Sequence, residues 1–159
     1  RCESFASIIL ENKGKNIFSI NKLPNECQIA PIFGTQVFDI NQDGHLDILA
    51  VGNDYSTEPL TGRYDASIGW YLEGIGNGQF KNIALYKSGL CVKGDAKSMI
   101  IMNKNSIRPM IVIGKNSGSV QALLFKKNKV KNILFKKQKK EYYYGNGYLS
   151  QNAISSESI

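Results

Sequence analysis

Apolar positions along this chain come in short runs broken by Gly, Asn and Asp. Residues 35–40, 46–52, 67–72 and 79–85 are each strand-sized and rich in apolar, β-branched or aromatic side chains. That composition suits a pleated, half-buried surface. No segment carries an apolar stripe at the helical spacing of about 3.6 residues over some twelve positions. Asn77-Gly78 separates two apolar runs; both residues tolerate positive φ, and a hairpin turn is predicted there. The polar stretch 53–67 is predicted as one long loop.

The pattern recurs. Leu10, Glu11, Gly14, Phe18 and Leu23 return as Leu72, Glu73, Gly76, Phe80 and Leu85, 62 positions on. At the same offset Asn41 falls on Asn103, Gly52 on Gly114, and Ile48-Leu49-Ala50-Val51 on Met110-Ile111-Val112-Ile113. Strand-sized segments repeating near that period suit a four-stranded propeller blade with one long loop. The expected fold class is all-β, an incomplete β-propeller of about two and a half blades, with Leu10 over Leu72 and Phe18 over Phe80. Propellers close with roughly four to eight blades. The remaining blades are therefore expected from a larger chain or from an assembly of copies.

Composition narrows the class. A chain of 159 residues at 42% hydrophobic and 21% charged is globular, not disordered. No apolar run approaches the roughly 20 residues that cross a bilayer as a helix, so no transmembrane segment is expected. The chain opens with Arg1 instead of Met; it is expected to be processed, engineered or partial, and a missing leader does not point to the cytosol. The three cysteines, Cys2, Cys27 and Cys91, lack metal-like spacing, and an odd count excludes a complete intrachain disulfide set. They are expected to act as small buried hydrophobes. Net charge is +7, with eight lysines between Lys126 and Lys140. These alternate with Val130, Ile133, Leu134 and Phe135, as on the solvated side of strands, where lysine also guards sheet edges. No nucleic-acid partner is expected from them.

One segment carries candidate chemistry. Asp39-Ile40-Asn41-Gln42-Asp43-Gly44-His45-Leu46-Asp47 places side-chain oxygens at positions 1, 3, 5 and 9 of a tight loop. Calcium is a hard cation that takes about six to eight oxygen ligands. Asp39, Asn41, Asp43 and Asp47 are the candidate side-chain ligands, and His45 would offer only its backbone carbonyl. Gly44 permits the bend, and Ile40 and Leu46 are expected to point to the core. An EF-hand needs a bidentate Glu at position 12, where this chain has Ala50. The site therefore reads as a strand–loop–strand calcium loop, against the alternative of an Asx-rich turn that binds nothing. At the 62-residue offset the four ligand positions become Ile101, Asn103, Asn105 and Pro109, and that second loop is expected to hold no calcium.

Phe33-Gly34, the Asp39–Asp47 loop and Leu49-Ala50-Val51-Gly52 together resemble the FG-GAP/VCBS repeat family, whose calcium-loaded propeller blades also occur in the integrin α-subunit head. The resemblance extends to Leu23-Pro24 through Ala30-Pro31, Gly62-Arg63-Tyr64-Asp65-Ala66-Ser67 and Gly94-Asp95-Ala96-Lys97, which look like the C-terminal part of Bacteroidetes-type VCBS-repeat surface proteins. Tyr144-Gly145-Asn146-Gly147-Tyr148-Leu149-Ser150-Gln151 is similar to the opening of an ASPIC/UnbV module. The resemblance implies blades over residues 1–140 and a truncated terminal segment over 141–159. It also implies an extracellular or outer-membrane-associated location, with protein or glycan partners at the cell surface and a role in binding and adhesion.

Catalytic constellations are weak. The single histidine, His45, lies inside the loop, which leaves no triad to assemble. Asp54, Glu58 and Asp65 could form an acid/base pair of the glycosidase kind, and the alternative function is a fragment of a propeller enzyme acting on polysaccharide, a lyase or hydrolase. The favoured expectation is a non-catalytic, calcium-stabilised binding or scaffold module. Its candidate contact residues are Tyr55, Glu58, Arg63, Tyr64 and Asp65, since loops on rigid scaffolds carry recognition and tyrosine and arginine are enriched at hot spots. Two roles stand open for this loop: contact surface, or architecture with Arg63 paired to Asp65 and Tyr64 filling the core. Trp70 and Tyr71 are further candidates for a stacking surface.

Overall fold

In the computed structural model, residues 4–102, 109–126, 129–133, 141–142 and 154–155 are described. The chain is mostly β, and all of its described sheets are antiparallel. Strands Ile8–Gly14 (β1) and Ile17–Lys22 (β2) form a hairpin. Strands Gly34–Phe38 (β3), Asp47–Val51 (β4), Trp70–Gly74 (β5) and Phe80–Asn82 (β6) follow as a four-stranded meander. One helical turn, Leu85–Ser88 (α1), leads to a second meander of Ala96–Met102 (β7), Met110–Lys115 (β8), Gln121–Lys126 (β9) and Lys129–Ile133 (β10). Glu141–Tyr142 (β11) pairs with Ile154–Ser155 (β12).

Two apolar clusters position everything else. The first lies between the meanders and joins Phe38, Leu49, Val51 and Tyr71 to Leu90, Met99, Ile111, Ile113 and Phe125. The second lies on the other face of the first meander, where Trp70, Leu72 and Ala50 meet Cys27 and Ala30. Backbone approaches here are close: a Cβ on Gly52 would stand 1.8 Å from the Pro31 carbonyl oxygen. Only glycine fits that contact.

Strand character is as expected, but the boundaries move. Ile40 leaves the strand and enters the loop, yet stays buried. Segment 67–72 becomes a strand only from Trp70, and 79–85 is a strand only over Phe80–Asn82, because Leu85 starts α1. At the predicted turn, Asn77 and Gly78 have φ of 52° and 68°, and the Gln79 N–H donates to the Gly76 carbonyl at 3.0 Å. Two successive positive φ values give the twist that fits a tight hairpin.

Register follows the 62-residue offset in one part and departs in another. Leu10 pairs with Ile20, Glu11 with Ser19 and Asn12 with Phe18; Leu72 pairs with Asn82, Glu73 with Lys81 and Gly74 with Phe80. Each pair is its counterpart moved by the same 62 positions. Val37 pairs with Ile48, but Met99 pairs with Ile113 instead of Met110, three positions on; the register shift between Ala96 and Ser98 supplies one of the three. A bulge adds one residue to one strand and re-aims those that follow. Ile101, the first position of the expected second loop, is a strand residue opposite Ile111. Asn103 and Asn105 lie outside the described residues, as do Leu134, Phe135 and Tyr144. Lys129 and Lys131 stand on β10, an edge strand among the described residues.

Candidate metal loop and contact loop

The acidic loop connects β3 to β4. Its polar side chains fold back on its own backbone, as short Asp and Asn side chains do in turns. Asp39 accepts the Asp43 N–H on Oδ1 at 3.1 Å and the Gly44 N–H on Oδ2 at 2.9 Å. Asn41 Oδ1 accepts the Asp43 N–H at 3.1 Å, and Asp43 Oδ1 accepts the His45 N–H at 2.8 Å. Gly44 has φ of +89°, the left-handed bend that the sequence assigns to it. The His45 N–H and the Asn41 amide hold the Asp43 carboxyl below the usual carboxylate range.

Asp47 is placed differently from its three neighbours. It is fully buried at the start of β4, and its carboxylate accepts three donors. Oδ2 takes the Ile40 N–H at 2.9 Å and the Tyr71 hydroxyl at 3.3 Å; Oδ1 takes the Gly74 N–H at 2.8 Å. This carboxylate ties the loop to β5, with or without an ion. In return, burial and then the Asp47 charge push the Tyr71 hydroxyl well above the ordinary tyrosine range. Among the described residues no three His, Cys, Asp or Glu side chains are gathered tightly enough to hold a metal ion. The donors nonetheless fit a hard cation in kind, being all oxygen, and Asp39, Asn41 and Asp43 retain unused lone pairs.

Glu73 is a neighbour that the loop sequence did not suggest. The Asn41 amide donates to Asp43 Oδ2 at 2.8 Å and to Glu73 Oε1 at 3.1 Å, so both its protons are used and its carbonyl is turned back to the loop. The signal that existed was the recurrence of Glu11 as Glu73. His45 is exposed, with its ring against Gly76 in the β5–β6 turn. Leu46 corrects an expectation: it is 60% exposed, not in the core. The strand starts only at Asp47, and Leu46 falls on the open side of the bend.

The loop over residues 53–67 is a small hairpin of its own. Asp54 and Tyr64 exchange both backbone hydrogen bonds at 2.8 Å. The Asn53 amide, almost fully buried, donates to the Ser67 and Gly94 carbonyls at 2.9 Å each and accepts the Ser67 N–H at 3.0 Å. Lys97 on β7 reaches across from the second meander to the Asn53 carbonyl at 2.8 Å, Asp95 at 2.9 Å and Asp54 at 3.2 Å. Its ammonium also lies 3.9 Å from the Phe33 ring centre. The Ser56 N–H and Lys97 hold Asp54 below its ordinary range. Burial opposes the charge on Lys97, but Asp95 and Asp54 outweigh it and raise the ammonium pKa.

Glu58, Arg63, Tyr64 and Asp65 are exposed, and Tyr55 is half-buried. The Arg63–Asp65 pair of the architectural alternative is absent from the described ion pairs; the guanidinium instead sits 4.8 Å over the Tyr55 ring. Tyr64 does not fill the core: it pairs with Asp54 near the root of the hairpin and is 50% exposed. Trp70 and Tyr71 are buried, and the Trp70 indole donates to the Glu26 carbonyl at 2.7 Å, so neither forms a stacking surface. Cys27 is buried and free, with its thiol pushed up to about 11 by burial and then by Glu26; Cys91 is half-buried and free. Compared with protein families, curated proteins and solved structures, this chain matches none.

Proposed function

We propose that this chain is a calcium-stabilised, non-catalytic binding or scaffold module built from FG-GAP/VCBS-type propeller blades. In this reading the two meanders are successive blades, the β1–β2 hairpin is the outer half of a preceding one, and the ring is completed by further blades. The shared register of β1–β2 and β5–β6 supports the repeat. The observation that carries the calcium reading is the inward fold of Asp39, Asn41 and Asp43 over one loop with Gly44 at its bend. Asp39, Asn41, Asp43 and the His45 carbonyl would hold the ion, and Asp47 would anchor the site from below. The ion would supply positive charge that offsets carboxylate repulsion and staples β3 to β4.

Extracellular calcium modules bind at about 10⁻⁴–10⁻³ M, so this chemistry fits an extracellular or outer-membrane-associated setting. Tyr55, Glu58, Arg63, Tyr64 and Asp65 form the proposed contact surface for a protein or glycan, on a hairpin braced at its root by Asn53 and Lys97. Asp54 gives the enzymatic alternative no specific support, since its carboxylate is engaged by Lys97. Calorimetry tests the reading. One calcium per chain is expected, lost in Asp43→Ala, and at ten times Kd the ion adds about 1.4 kcal/mol of stability. Absence of calcium-dependent heat refutes it.

A further inference from the structure

The β1–β2 hairpin and the β5–β6 hairpin share residues and register but not surroundings. Leu72 is fully buried and Trp70 nearly so; their counterparts Leu10 and Ile8 are 59% and 38% exposed. Phe18 and Ile20, across the ladder on β2, are exposed as well. The other face of the hairpin is seated: Glu11 and Asn21 lie against the Asn77-Gly78 turn, where a Cβ on Gly78 would stand 3.3 and 3.2 Å from them. One face therefore touches the β5–β6 turn through these two side chains, and the opposite face is open.

The difference has a single structural source. β5 has a neighbour on each side, and β4 pairs with it through Ile48↔Leu72, Leu49↔Tyr71 and Ala50↔Trp70. Among the described residues β1 pairs with β2 alone. The direction of its free groups follows from the ladder. The Leu23 N–H donates to the Ser7 carbonyl, as the Ile83 N–H donates to that of Tyr71. Antiparallel ladders alternate, so Ile9 and Glu11 bond toward β2, and Ile8, Leu10 and Asn12 turn their N–H and C=O groups to the open edge. Open edges with apolar side chains are sites of strand addition.

We propose that β1 is a strand-acceptor site, and that its occupant is an antiparallel β-strand of β4's own chemistry. That strand sets aliphatic or small residues opposite Ile8, Ile9 and Leu10, in the register that Ala50, Leu49 and Ile48 adopt on Trp70, Tyr71 and Leu72. A two-fold pairing of β1 with β1 of a second copy satisfies the edge but doubles the exposed apolar face. A β4-like strand extends the sheet in the way the first meander already does, with Ile48 and Ala50 beside Leu72 and Trp70 in one cluster. The inference rests on the incomplete-ring reading and adds the edge and register at which the ring continues.

The test uses the intact chain in calcium-containing buffer and a synthetic peptide of its own residues 32–52, with a photoreactive residue at the Leu49 position. Amide exchange in the protein alone is expected to be fast at Ile8 and Leu10 and slow at Ile9 and Glu11. The peptide is expected to slow Ile8 and Leu10 by at least about tenfold and to cross-link at β1. Leu10→Pro, which removes an outward N–H and leaves the β2 ladder intact, is expected to abolish both effects. Leu10→Asp, which keeps the backbone and charges the face, is expected to weaken them. Slow exchange at Ile8 and Leu10 in the monomer overturns the proposal, as does cross-linking to Tyr71 through displacement of β4. Dimers that protect β1 without peptide also overturn it, since a second copy is then the occupant. Cross-strand Leu10–Ile20 and Leu72–Asn82 proton contacts separate these failures from failure of the repeat, which loses those contacts.

Discussion

Leu72→Ala and Leu10→Ala remove the same atoms from corresponding places in two hairpins, and their costs are expected to differ several-fold. Leu72 has no exposed surface and packs with Trp70, Ala50 and Cys27. Truncating such a leucine leaves a cavity and costs about 2–5 kcal/mol, transfer and void together. Leu10 keeps most of its surface in water. The buried remainder, at about 25 cal/mol per Å² of apolar area, makes its truncation worth roughly 0.5–1 kcal/mol. Urea unfolding followed by circular dichroism separates the two. With a slope of about 2 kcal/mol per M, a 3 kcal/mol loss moves the midpoint by about 1.5 M, and Leu10→Ala moves it by about 0.5 M or less. Equal shifts refute the reasoning. If they come with a concentration-dependent midpoint, the Leu10 face is buried between copies; if not, the hairpin is packed within the chain.

Asn53→Ala deletes three hydrogen bonds, two of them buried, and takes the amide partner from the Ser67 N–H and the Ser67 carbonyl, while the Gly94 carbonyl keeps the Ala96 N–H; a loss of about 2–4 kcal/mol is expected by thermal unfolding, and less than 1 refutes its role as a brace. The Asp54–Lys97–Asp95 cluster sets a pH window. The folded pKa of Asp54 is depressed, so its contribution is full above the unfolded value of about 3.9 and is lost as pH falls through the folded value. That of Lys97 is raised, so its contribution is full below about 10.4 and is lost as pH rises through the folded value. Lys97→Met is therefore expected to narrow the difference between neutral and acid stability in chemical denaturation, and an unchanged acid limb counts against the pairing.

Much of the local structure is legible in the residues. Strand character follows from β-branched and aromatic runs, the turn at Asn77-Gly78 from two residues that accept positive φ, and the bend at Gly44 from the absence of a Cβ. The recurrence of Leu10, Glu11 and Phe18 as Leu72, Glu73 and Phe80 even carries the ladder register of β5–β6. These features depend on neighbours within a few positions or on a pattern that repeats unchanged. Other features depend on chain that arrives from far away. Leu10 and Leu72 are the same residue in the same ladder, and only β4 beside β5 makes one of them core. Asp47 reads as a fourth ligand of equal standing until Tyr71 and Gly74 claim its oxygens. Trp70 and Tyr71 read as surface aromatics until the clusters on both faces of the first meander close over them. Lys97 stands in the Gly94-Asp95-Ala96-Lys97 segment, which names none of its partners, and its role exists because β7 brings it to Asn53 and Asp54 from the second meander. Backbone preference is a property of a residue and its near neighbours, whereas burial and charge pairing are properties of whatever the rest of the chain places alongside.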